Sequence, residues 1–97
     1  MEFNGLYEVQ YQDDTVATIK LSDEHHPIFK AHFPDQPILP GFMHFEIVTD
    51  IFNLEINNIK RAKFTQIVLP NQVLKYERQD NKFKVYMENS LVASFSI

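Results

Sequence analysis

The 97 residues carry nine Lys and Arg against thirteen Asp and Glu, a net charge of −4, with 44% apolar residues, 13% aromatic residues and no cysteine. That length predicts a single domain, residues 1–97, with a modest core. The missing thiols exclude disulfides and thiolate metal sites, the acidic balance argues against a nucleic-acid partner, and no apolar run approaches the roughly 18 residues of a membrane span.

No basic, apolar leader opens the sequence, so a soluble cytoplasmic protein is expected. Nine Phe in so short a chain point to an oligomer that covers the excess apolar surface. Residues 5–12 alternate, with Tyr7, Val9 and Tyr11 on one face, and read as a half-buried strand. Asp13-Asp14 is a turn signal, and Ala17, Ile19 and Leu21 mark a second strand over 15–21, so the pair predicts a hairpin.

Residues 22–40 hold prolines at 27, 34, 37 and 40. Proline removes a backbone donor and biases the residue before it towards extended geometry, so no helix is expected here. The segment reads as a stiff loop, packed over the core through Ile28, Phe29, Phe33, Ile38 and Leu39. Loops of this length tend to be functional. After Pro40-Gly41 a helix is expected from about Phe42, with apolar residues at 42, 43, 45, 47, 48, 51, 52 and 54. These cover most of the circumference, which predicts a buried helix ended by Asn57-Asn58. The remainder reads as strands: 59–67, a Leu69-Pro70-Asn71-Gln72 turn, 72–78, a Gln79-Asp80-Asn81 turn, Phe83–Met87, an Asn89-Ser90 turn, and Leu91–Ile97. About six antiparallel strands and one helix predict an α+β fold with the sheet curled around the helix.

The central stretch also carries the chemistry. A carboxylate on a buried helix either finds a partner or has its pKa raised. Glu46 is in that position, unless it faces a polar gap or solvent at the helix edge. His32 sits in the stiff apolar loop, where an imidazole with a pKa near neutrality suits a general base or bonds a backbone carbonyl. His25 and His26, beside Asp23 and Glu24, read as surface residues, and His44 lies on another side of the helix from Glu46. No HxxxH or HxH pair is present, so no metal is expected. Gly41 opens the helix, where free backbone N–H groups favour negative charge.

His32-Phe33-Pro34, Pro37, Leu39-Pro40-Gly41 and Glu46 together resemble the signature of the FabA/FabZ group of 3-hydroxyacyl-acyl-carrier-protein dehydratases. Nine positions separate His from Gly and fourteen separate His from the acid. Lys63-Phe64 and Val68-Leu69-Pro70 continue the likeness, which covers roughly residues 28–76. The short chain is similar to the compact branch of aryl-polyene-type dehydratases. Ala31, Asp50, Asn71 and Gln72 depart from the usual residues without removing a catalytic group.

The resemblance implies a hotdog fold, with a long helix wrapped by an antiparallel sheet, and dehydration of a 3-hydroxyacyl thioester. It implies that His32 removes the α-proton, the Gly41 amide polarises the thioester carbonyl and Glu46 protonates the departing hydroxyl. Phe29, Phe33, Phe42 and Phe45 become candidates to line an acyl tunnel, with plain core packing as their alternative. No cofactor is implied beyond the phosphopantetheine arm of an acyl carrier protein. The basic residues Lys60, Arg61 and Lys63 suit such an acidic partner or form an ordinary solvated face. A homodimer is implied, since in this family His and acid come from different subunits, and higher hotdog assembly is open. A hotdog thioesterase and a non-catalytic acyl-binding or partner subunit are the competing readings.

Overall fold

A computed structural model describes residues 5–31 and 35–97. The elements run β1 (Tyr7–Gln12), β2 (Val16–Leu21), α1 (Pro27–Ala31), α2 (Met43–Ile51), β3 (Lys60–Phe64), β4 (Val73–Gln79), β5 (Lys82–Met87) and β6 (Ser90–Ser96). All six strands join one sheet in the order β1-β2-β4-β5-β6-β3, with every neighbouring pair antiparallel. The chain leaves β2, forms the helical layer, and returns to lay β3 on the far edge and β4 beside β2. The α+β, sheet-around-helix expectation holds, and the arrangement is a hotdog fold.

Alternation builds the core. Ala17, Ile19 and Leu21 from β2, Leu74 and Tyr76 from β4, Phe83 and Val85 from β5, and Ala93 and Phe95 from β6 are all buried. They form one cluster with Met43, Ile47, Val48 and Ile51 of α2. Turn chemistry closes the hairpins and shapes the turn before β4. Asp13 Oδ1 accepts from the backbone N–H groups of Thr15 and Val16 at 2.8 and 2.7 Å. Asn71, Asp80 and Glu88 take positive φ values of 67°, 55° and 58°, and Asn and Asp tolerate that region best.

Four expectations are corrected. Residues 27–31 do form a helix, α1, because Pro27 stands at its first position, where the missing N–H has no intrahelical role. His26, expected on the surface, is only 9% exposed, and its Nδ1 accepts from the N–H of Ile28 at 3.1 Å.

Helix α2 is short and one-sided rather than long and buried all round. Met43, His44, Ile47, Val48 and Ile51 are buried, while Glu46 and Asp50 are exposed. It stops at Ile51 because Asn53 turns left-handed at φ 53°, bringing the N–H of Leu54 to the carbonyl of Thr49 at 3.0 Å. Strand β1 is an edge strand, and Val9 and Tyr11 are 44% and 55% exposed instead of half-buried. It is tied to α2 by a Tyr7–Asp50 side-chain hydrogen bond and by Gln12 Nε2 donating to the carbonyl of Ile51 at 2.7 Å.

Candidate active site

The helix entrance is set by two anchors. The N–H of Leu39 donates to the carbonyl of Val68 at 2.8 Å, pinning the proline-rich segment to the chain that follows β3. The first turn then tightens, as Met43, His44 and Phe45 donate to the carbonyls of Pro40, Gly41 and Phe42 at 3.0, 3.1 and 3.1 Å. The N–H of Gly41 makes no hydrogen bond among the described residues, so the start of α2 offers a free donor beside the positive end of the helix.

Glycine at position 41 lets a neighbouring ring approach closely. A Cβ there would lie 3.1 Å from the ring of Phe64. Phe64, at the end of β3, also faces the His44 ring at a 6.2 Å centroid distance and tilts onto Phe45 at 5.9 Å. Ile38, Leu39, Gly41, His44, Phe64, Gln66, Ile67 and Val68 enclose a cleft of about 200 Å³ at this corner.

His32 and Phe33 lie outside the described residues. Glu46 is exposed on α2, with no hydrogen bond or ion pair among the described residues, so of the two readings open for it the solvent-facing one holds and the buried one does not. Burial on α2 is confined to the face turned to the sheet, and Glu46 points the other way. Of the three described phenylalanines expected to line a tunnel, Phe29 is completely buried in the core. Phe45 packs edge-on against Phe95 at 4.8 Å, and Phe42 is 36% exposed. None of the three lines the Gly41 cleft.

The side chain that does reach the cleft from the helix is His44. It is 2% exposed, and its Nδ1 lies 2.8 Å from Oη of the completely buried Tyr76. Desolvation pushes the His44 pKa down to about 4 and raises that of Tyr76 well above the ordinary phenol value. Both groups are neutral at pH 7. The sequence did hold a signal for this pair: a single His within the apolar stripe of α2, and an alternating Tyr on β4.

The basic residues form a surface of their own. Lys60 and Lys63 pair with Ser96 and Ser94 of β6, so three residues of β3 advance against two of β6. A bulge with Arg61 at φ 55° takes up the difference. Ser96 and Ser94 in turn pair with Lys82 and Lys84. The bulge therefore puts Lys60 and Lys63 on the same outer face as Lys82 and Lys84, in two rows, and all four are exposed. Among the described residues no helix is long and apolar enough to cross a membrane.

A family model described as ApeI-like, ApeI dehydratase, matches residues 8–95. The 3-hydroxyacyl-acyl-carrier-protein dehydratase FabZ of Clostridium acetobutylicum is 31% identical over 70 residues, covering 59% of this chain and 50% of that protein. FabZ of Clostridium novyi is 29% identical over 69 residues, covering 58% and 49%. The chain thus spans about half the length of the curated relatives it matches. Among solved structures, the dehydratase heterocomplex ApeI:P from Xenorhabdus doucetiae is similar in fold. Its TM-score is 0.70 at 20% identity, over 100% of this chain and 96% of that one.

Proposed function

The chain belongs to the ApeI-like dehydratase family, and on that premise we propose that it converts a 3-hydroxyacyl thioester, carried on the phosphopantetheine arm of an acyl carrier protein, to the trans-2-enoyl thioester. The observation that carries the reading is the helix entrance: a free Gly41 N–H stands just before α2 and an open Glu46 carboxyl group stands in its first turn. Their spacing from His32 is that of the dehydratase signature.

In this reading the thioester carbonyl accepts from the Gly41 N–H. The α-proton becomes more acidic as enolate charge develops against that donor. His32 takes the proton from C2. The C3–O bond breaks as a proton is delivered through Glu46 to the departing hydroxyl. One water leaves, and the electron pair of the C2–H bond becomes the new C2=C3 bond.

The outward direction of Glu46 supports a site completed by a second subunit. Exposed Phe42, Ile59, Phe64, Ile67 and Leu69 supply apolar surface near the helix entrance and β3 for that contact. We assign the second subunit as another copy of this chain. The four-lysine face supports an acidic carrier as partner, since a patch of one sign on a chain of net charge −4 steers a partner of the other.

The test is mass-spectrometric detection of water loss from carrier-linked 3-hydroxyacyl substrates, with wild type beside His32→Ala and Glu46→Gln. Turnover in wild type and its loss in both variants is the expected result. Undiminished turnover in both variants removes the assignment of the pair, and release of free carrier thiol in place of water loss replaces the dehydratase with a thioesterase.

A further inference from the structure

The Gly41 cleft has walls of Ile38, Leu39, Phe64, Ile67 and Val68, and its polar side chains are Gln66 and His44. The protonation of His44 follows from its partner. Tyr76 is completely buried, and among the described residues its hydroxyl bonds only to His44 Nδ1. A buried hydroxyl directs its hydrogen at the acceptor it has, so Tyr76 donates and Nδ1 accepts. The neutral ring then carries its proton on Nε2. Among the described residues no buried side-chain nitrogen or oxygen lacks a partner, and His44 makes no second hydrogen bond. Nε2 is therefore not sealed inside the protein, and the cleft that His44 lines is the space it opens on.

A fixed neutral donor in a largely apolar cleft discriminates between ligands, with the Gln66 amide as the other polar side chain of the lining. A chain that brings an acceptor gives Nε2 a direct hydrogen bond in place of solvent. A plain alkyl chain of the same length excludes solvent and leaves the N–H unpaired, which is the costlier state. The cleft of about 200 Å³ has room for a short chain segment, roughly six or seven water-sized groups.

We propose that His44, held in its tautomer by Tyr76, is a specificity-determining residue that selects acyl chains carrying an acceptor oxygen over plain alkyl chains. The inference rests on the reading that Gly41 holds the thioester, which lays the acyl chain along this cleft.

The experiment uses two carrier-linked 3-hydroxyacyl thioesters of equal length, one with a plain alkyl tail and one with a keto or hydroxyl oxygen in the tail. Their unreactive amide analogues measure binding without turnover. Wild type is expected to favour the oxygenated chain about tenfold, the worth of one hydrogen bond, in both kcat/KM and Kd. The oxygenated amide is also expected to shift the ring-nitrogen NMR signal of His44. His44→Leu loses the preference, and His44→Gln, which keeps a neutral donor, retains part of it. Should His44→Leu not fold, Tyr76→Phe, which frees the tautomer, weakens the preference instead.

Equal Kd values for the two amides in wild type, or a preference unchanged in His44→Leu and Tyr76→Phe, overturns the proposal. Tighter binding of the oxygenated amide without turnover of either thioester leaves His44 as the selector and removes the dehydratase reading. Turnover without chain preference does the reverse.

Discussion

His44 and Glu46 stand two residues apart on α2 and live in opposite surroundings. A helix advances about 100° per residue, so the two side chains diverge by roughly 200°. His44 points into the sheet, buried against Tyr76 and Phe64, and its charge is suppressed. Glu46 points away from the sheet and is exposed. The polar group that is already paired sits inside, and the one without a partner stays where water, substrate or a second subunit reaches it. Burial alone thus does not mark a candidate catalytic group, because the His44–Tyr76 pair satisfies Nδ1 and leaves Nε2 as a fixed donor.

The sharpest way to break this contrast is Glu46→Gln. It is expected to lower dehydration by about 10²- to 10⁴-fold while shifting stability by less than about 0.5 kcal/mol, as for an exposed substitution. Steady-state kinetics beside urea unfolding checks both halves, and a large stability loss contradicts the open position of Glu46.

On the other face the expected effect is one of pH. The folded-state pKa of His44, about 4, lies below its ordinary 6.5, so between those values the unfolded chain binds the extra proton. Stability is then complete above pH 6.5 and falls as pH drops to about 4, by about 3 kcal/mol in all. Asp13, held at about 2 by Tyr11 and the backbone N–H groups of Thr15 and Val16, acts only below its ordinary 3.8, so the two windows separate. Urea unfolding across this range should show the slope in wild type and a flatter curve in His44→Gln. An unchanged slope in the variant locates the titration elsewhere.

Tyr76→Phe removes the donor and leaves Nδ1 of a buried ring unpaired, for an expected loss of about 1–3 kcal/mol. The smallest change is Gly41→Ala, where the new Cβ meets the Phe64 ring at 3.1 Å. Phe64 is half exposed and yields at an expected cost of about 1 kcal/mol. Phe64→Ala should recover most of that in a double-mutant cycle, and no coupling between the two sites contradicts the contact.

The alternation of β2, β4, β5 and β6 was readable because one face of each strand is buried, and periodicity reports a buried face directly. The Asn71 turn was readable because its backbone conformation selects few residue types. Strand β1 defeated the same reasoning: Tyr7, Val9 and Tyr11 alternate like a core strand, yet the sheet ends there and Val9 and Tyr11 are left exposed among the described residues. The prolines misled at α1, since a proline that forbids a helix interior favours a helix start.

At the candidate site the spacing of His32, Gly41 and Glu46 is local information, carried along one stretch of chain. Composition and strand periodicity were enough for the fold class, because each depends on near neighbours in sequence. The His44–Tyr76 pair joins positions 32 residues apart, the Phe64 ring over Gly41 spans a helix and an edge strand, and the four-lysine face exists only through a bulge at Arg61. Those features follow from which surfaces meet when the sheet closes on the helix, and strand order and register, not residue periodicity, set which surfaces meet.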